Sequence, residues 1–191
     1  MATTDITICN SALIKLGSDI IETFNEPFES KEAQLCKLQF EKIRDLLLYS
    51  HPWNFATKRA KIDTNGNDSE WGDLKEFDLP LDYLRVIDLN GEVHPETPWY
   101  IEGDKLYSDD DTLEFKYIAR VTDPELFSAG FRELLALAIA NELSYSLVQS
   151  ATIKETIQRE YMTQLSDLRS FDSQEGTTLQ VTNHRYLGVR K

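Results

Sequence analysis

Three histidines, two cysteines and a surplus of carboxylates are the groups in this chain that could do chemistry. His51 precedes a proline, His94 lies in a turn-like stretch and His184 falls near the end of the sequence. None has a second His, Cys or carboxylate at the spacing that tetrahedral zinc needs, so no metal site is expected. The run Asp63-Thr-Asn65-Gly-Asn67-Asp68 matches the first three alternating oxygen ligands of an EF-hand loop. It departs at Asp68, where the loop demands glycine, and at Leu74, where it demands a bidentate glutamate, so it reads as a plain hairpin loop. Asp109-Asp110-Asp111 reads as a solvated turn. The eight glycines are scattered, and no GxSxG, P-loop or GxGxxG occurs. A Ser-His-Asp hydrolase needs a spatial triad that nothing in the sequence supports. Trp53, Phe55, Trp71 and Trp99 could form a stacking platform for a ligand. Core and inter-lobe packing is the preferred reading, because aromatics dominate burial energetics. No catalytic residue, no cofactor and no small-molecule substrate is expected.

Those side chains need elements to hold them. The 191 residues suffice for one core, or one core with a smaller lobe, and the 41% hydrophobic content argues against wholesale disorder. The net charge of -13 speaks against broad contact with nucleic-acid phosphates, though an acidic wall would let DNA slide past without sticking. Cys9 and Cys36 fall inside helical sequence and read as reduced core thiols. MATTDITICN has no basic region or long apolar run, so no signal peptide is expected. No window approaches the roughly 18 apolar residues of a membrane span. A cytoplasmic protein that later joins something is the expectation.

Asp5 to Leu16 reads as a helix, with Thr4 or Asp5 as cap and Gly17 as stop. A second helix runs from Ser30 to about Tyr49, with Leu35, Leu38, Ile43, Leu46 and Leu47 on its apolar face and Cys36 and Phe40 at the margins. His51-Pro52 ends it. Trp53 and Phe55, two residues apart, are expected to pack between the helical part and the strand-rich part, and to fix their angle. Strands are predicted at 77–80, 83–89, 99–102, 105–108 and 113–119, with Gly103-Asp104 joining a hairpin. Helix returns at Asp123-Pro124 and continues through the apolar FRELLALAIANELSYSLV. That segment is either central to a bundle or shared with a neighbouring subunit. A last amphipathic helix covers Thr152 to Leu168. The fold class is therefore α+β. Residues 1–56 and 122–171 form an antiparallel helical bundle. Residues 57–121 form a small, mostly antiparallel β lobe inserted between the second and third long helices, and 172–191 form an extended C-terminal arm.

The opening ICNSALIKLG, the second-helix AQLCKLQFEKIRDLLL, HPWNFATKRA, the LPLDYLRV strand, KYIARVTDPELF and the late Leu/Ala-rich helix occur in that order. The pattern resembles the tail tubular protein A family, the head-to-tail adaptors of short-tailed bacteriophages, over roughly residues 5–170. The resemblance implies a virion protein, made in a host cytoplasm, that forms a ring of twelve copies between the portal protein and a tail nozzle protein. Genomic DNA would pass through without specific binding. It also implies portal contact by the basic and aromatic cluster His184, Arg185, Tyr186, Leu187, Arg190 and Lys191. The alternative is a non-enzymatic cellular interaction module that binds a protein partner through the apolar helix from Phe131 to Val148.

Overall fold

The computed structural model describes residues 3–67, 69, 73–91 and 98–175. The fold is α+β, with helices at both ends of the described residues and two small antiparallel sheets between them. Helix α1 spans Asp5–Leu16. Thr4 and Thr7 cap it reciprocally, and Gly17 ends it at φ 69°, a conformation that glycine adopts without a Cβ penalty. Helix α2, Lys31–Ser50, starts on the Ser30 hydroxyl and stops at His51-Pro52.

The buried face of α2 is rotated from the predicted one. Cys36 and Phe40, expected at the margins, lie at its centre with Ala33, Ile43, Leu47 and Leu48, whereas Leu38 and Leu46 are exposed. The helix carries apolar residues on more than one stripe, and period alone cannot choose which stripe meets the core.

Sheet A joins β1 (Thr57–Asp63), β6 (Thr112–Ala119) and β3 (Tyr83–Leu89) in the order β1-β6-β3. Sheet B joins β2 (Lys75–Asp78), β5 (Lys105–Ser108) and β4 (Trp99–Glu102) in the order β2-β5-β4. Strand β6 alternates strictly. Leu113, Phe115 and Tyr117 join Phe77 and Leu106 of sheet B and Leu89 in one cluster, while Ile118 points the other way into the helical core. Burial and the hydrogen bond to Asp82 push the Tyr117 phenol up to about 12.

The chain after β6 does not enter a helix directly. Pro124–Leu126 is a single 3-10 turn capped by Asp123, and Ser128 then caps helix α3, Ala129–Leu147. Arg132 secures this turn by donating to the carbonyls of Phe127 (3.0 Å) and Glu125 (3.1 Å). Helix α4, Ala151–Gln174, begins on Ser150 and runs past the predicted end, so residues 172–174 are helical and not part of an extended arm. Helix α3 lies against α1, α2 and α4. Phe131, Leu134, Leu135, Ile139 and Leu143 are buried there, and this explains an apolar character that wraps around the helix. Cys9 and Cys36 are buried free thiols, and their mutual hydrogen bond together with burial drives the Cys9 thiol upward.

Candidate functional site

The residues that invited chemical readings are mostly committed to local structure. The Asp63 carboxylate accepts from Thr112 Oγ1 at 2.7 Å, and Asn65 Nδ2 donates to Glu76 at 2.7 Å, so the calcium-like run ties hairpins together. Asp68 lies outside the described residues. Asp111 pairs with Lys75 at 2.9 Å and Asp110 accepts from Asn90 at 3.1 Å, which makes the acidic triplet a turn lock. Among the described residues no group of three His, Cys, Asp or Glu could hold a metal ion. No helix among them is long and apolar enough to cross a membrane. His94, Trp71 and the stretch from His184 to Lys191 lie outside the described residues.

Trp53 and Phe55 do not sit on an extended segment, because Asn54–Ala56 forms a 3-10 turn. Both rings nevertheless meet Phe131 of α3, Trp53 at 5.4 Å and Phe55 at 4.9 Å between centroids. Trp99 belongs to the separate cluster between the sheets, so it shares no stacking platform with Trp53 and Phe55.

The apolar helix named in the alternative reading as a partner-binding surface is mostly covered within the chain. Leu134, Leu135, Leu137 and Ile139 are at most 3% exposed, so the aliphatic residues of Phe131 to Val148 are not free for a partner. Exposed leucines do occur on α2. Leu38 and Leu46, eight residues apart on one side of the helix, are 63% and 60% exposed, and the half-buried Leu35 continues the stripe. Its signal in the sequence is the excess of leucines over what one buried face requires.

At the C-terminal end of α2 this side meets a polar junction. The His51 Nε2 lies 3.2 Å from Asp172 of α4, and the same carboxylate accepts from the Asn54 backbone N–H at 3.1 Å. The Asn54 side chain donates to the Asp172 carbonyl at 2.6 Å. The last turn of α4 is thus latched to the connection between α2 and β1. Arg85 of β3 places its guanidinium 5.4 Å from the centre of the Tyr49 ring, a cation–π contact. The Nε atoms of Arg85 and of Arg169 on α4 are enclosed and have no hydrogen-bond partner among the described residues. Nothing in local spacing marks these residues, since they come from three distant segments.

Burial holds the His51 imidazole below its ordinary value. Arg169 and Arg85 act the same way, and the hydrogen bond and charge of Asp172 oppose them. The unfolded chain takes up this proton near the ordinary value of 6.5, before the folded chain does. The stability that neutral His51 contributes is therefore complete above that pH and is lost as pH falls through the lower folded value. Unfolding free energy measured by urea titration should decline on acidification below about 6.5, and His51→Gln should flatten that part of the profile. An identical slope in the variant would remove His51 as the cause.

A second polar surface lies on the open half of sheet A, where Arg59, Lys61, Asp88, Glu114 and Lys116 line a groove of about 430 Å³. Lys116 pairs with Asp88 at 3.7 Å and Lys61 stands opposite Glu114, so opposite charges largely balance across the strands.

No family model matches the chain. Among curated proteins it is similar to the small ribosomal subunit protein mS23 of Meyerozyma guilliermondii, 28% identical over 113 residues, or 53% of this chain and 40% of that protein. It is also similar to the small ribosomal subunit protein mS23 of Debaryomyces hansenii, 23% identical over 136 residues, or 62% of this chain and 45% of that protein. The matched part is thus less than half the length of either relative. These relatives overturn the resemblance to the tail tubular protein A family, because neither is a phage adaptor. The twelve-membered ring, the portal and nozzle partners, the passage of genomic DNA, and the virion location with its host-cytoplasm origin fall with it. Portal contact by His184, Arg185, Tyr186, Leu187, Arg190 and Lys191 loses its partner, and these residues lie outside the described ones. The resemblance rests on segments such as HPWNFA and LPLDYLRV, whose prolines stand at a helix stop and ahead of a strand.

Proposed function

We propose that this chain is a non-enzymatic structural component of a ribosomal small subunit, and that it resides with that particle in mitochondria. The observation that carries the reading is the similarity to the two mS23 proteins. The surface character is consistent with it. A net charge of -13 disfavours broad contact with ribosomal RNA, so neighbouring proteins supply most of the attachment. The exposed leucines of α2 are the docking stripe in this reading, as apolar side chains at the centre of an interface contribute most when desolvated. Trp53 and Phe55 act as internal supports that set the angle between helices and sheets and so present α2 to its neighbour.

The direct test is sedimentation of the tagged chain, expressed in its own cell, on a sucrose gradient. Co-migration with the small ribosomal subunit is expected, and migration only as a free protein would overturn the reading. Leu38→Glu combined with Leu46→Glu should weaken incorporation roughly tenfold, equivalent to about 1.4 kcal/mol or more, without altering the thermal unfolding of the isolated chain. Unchanged incorporation would take α2 out of the interface.

A further inference from the structure

We propose that β1, the open edge strand of sheet A, is the docking site for an extended protein segment with acidic side chains at alternate positions and apolar ones between them. The segment adds to the sheet in antiparallel order beside Arg59 and Lys61. The site stands on the geometry and charge of the sheet; it goes beyond the ribosomal reading above and does not rest on it.

The backbone direction of β1 follows from β6. The Glu114 N–H donates to the Asn90 side chain at 2.9 Å, and the Glu114 carbonyl accepts from the Asn90 N–H at 2.6 Å, so both groups face the β3 side. The Asp111 carbonyl faces the other way and accepts from the Thr64 N–H at 3.2 Å. Backbone groups of successive residues alternate across an antiparallel ladder, so Leu113, Phe115 and Tyr117 bond toward β1. Their partners in the register are Ile62, Ala60 and Lys58. Arg59 and Lys61 therefore point both N–H and carbonyl away from the sheet, where no backbone partner meets them among the described residues.

The other sheet edges are guarded. Strand β3 has two register shifts, one between Tyr83 and Arg85 and one between Val86 and Asp88, and α2 lies against it. Strands β2 and β4 are only four residues long. Bulges, covers and short lengths are the means by which proteins keep edges from pairing. Strand β1 has none of them: its seven residues pair with β6 without a shift.

Charge names the partner. Lys58, Arg59 and Lys61 fall within four consecutive residues of a chain whose net charge is -13. Lys58 is paired with Asp82 at 2.6 Å. Arg59 stands directly across from Lys116, like charge against like, an arrangement that destabilises a sheet. Neither Arg59 nor Lys61 forms an ion pair with a carboxylate among the described residues, and Lys116 is turned to Asp88 on β3. Residues of an added strand opposite Arg59 and Lys61 share their face, beside the groove that these two line with Lys116, and acidic side chains there supply the missing charge. The residues between them fall beside Ala60 and Ile62, which pack half-buried on the cluster between the sheets, and apolar side chains extend that cluster. A second copy of β1 would set this run of cations against itself. RNA has no peptide groups to complete the ladder.

The experiment records the backbone amides of the isotope-labelled full chain by NMR while an end-blocked heptapeptide of alternating valine and glutamate is added. The Arg59 and Lys61 amides should shift, and their hydrogen exchange should slow roughly tenfold with the peptide at about ten times its Kd. The Lys58 and Ala60 amides belong to the fold and should mark it as intact throughout. Methylating the glutamate nitrogens of the peptide removes the donors that face β1 and should abolish the response, whereas methylating the valine nitrogens should not. Arg59→Glu with Lys61→Glu should lose the valine–glutamate peptide and gain the valine–lysine one. Unmoved β1 amides, or a response that survives the charge reversal or the glutamate methylation, would overturn the site. Slow exchange of the Arg59 and Lys61 amides in the free chain would also overturn it, because the chain would then cover its own edge. A single-stranded RNA oligomer that shifts these amides where the peptide does not would overturn the choice of partner. Peptide binding in a chain that never co-sediments with the small subunit would uphold the site and refute only the ribosomal reading.

Discussion

Replacing Trp53 by alanine should lower the unfolding free energy by about 3–5 kcal/mol, the range for truncating a fully buried large aromatic. Trp53 is 0% exposed and packs edge-on against His51 at 4.5 Å and Phe131 at 5.4 Å. Its indole N–H donates to the Leu47 carbonyl at 2.9 Å, in the last turn of α2 where carbonyls lack intrahelical partners. The variant therefore loses contact area and this hydrogen bond, while the Leu47 carbonyl keeps the Ser50 hydroxyl at 2.8 Å. Trp53→Phe separates the two effects: much of the ring is kept, and the hydrogen-bond part of the cost should be about 0.5–1.5 kcal/mol, the net worth of one hydrogen bond whose acceptor keeps another donor. Urea titrations followed by far-UV circular dichroism measure both. A loss below about 1 kcal/mol for the alanine variant would mean that the site relaxes around the gap.

Asp45→Ala is expected to be the second large effect, at about 2–4 kcal/mol. Arg44 is only 6% exposed, and its Nε meets Asp45 at 2.9 Å. The other Asp45 oxygen meets Arg120, just beyond β6, at 2.9 Å. Removing the carboxylate takes from a buried guanidinium its direct ion-pair partner, which costs more than losing a surface pair, although the charge of Asp5 still faces Arg44. The expected loss sits toward the lower end of the range for buried pairs because Asp45 itself keeps some contact with water. Arg120→Ala, at the exposed end of the same bridge, should cost under about 1 kcal/mol. Equal losses in the two variants would mean that Arg44 finds water or another acceptor once Asp45 is gone.

Much of the secondary structure is legible in the sequence because its boundaries are written in local chemistry. Thr4 and Gly17 bound α1, Ser30 and Pro52 bound α2, and Gly103-Asp104 turns the β4–β5 hairpin. The features that escape a sequence reading depend on tertiary contacts. The buried side of α2 is chosen by the partners it meets. Asp123-Pro124 resembles a helix start, yet the chain makes one 3-10 turn and restarts on Ser128, held there by Arg132. Strand β1 gives no clear signal, because TKRAKID shows little of the apolar alternation that marks a strand, and most of its side chains are charged or polar at the surface edge of sheet A. The candidate site is the least legible part. Asn54 and Asp172 are 118 residues apart, and no spacing rule joins a histidine at a helix stop to arginines on a strand and a distant helix. The apolar character of α3 is legible, but its meaning is not: a helix apolar on all sides can be covered by its own chain or by another, and here its own chain covers it.

Strand β6 has a consequence for cooperativity. Its neighbouring residues Tyr117 and Ile118 belong to different cores, one between the sheets and the other among the helices. Leu84 and Ile87 of β3 also pack against the helical core, while Val86 between them packs against the other. The two cores therefore share a wall one strand thick. Melting either would strip the apolar lining from the other, so loss of structure should propagate through β6 and the chain should unfold in one transition. Residues 57–121 thus differ from a detachable module spliced between helices: their middle strand is built into the core of the segments that flank them.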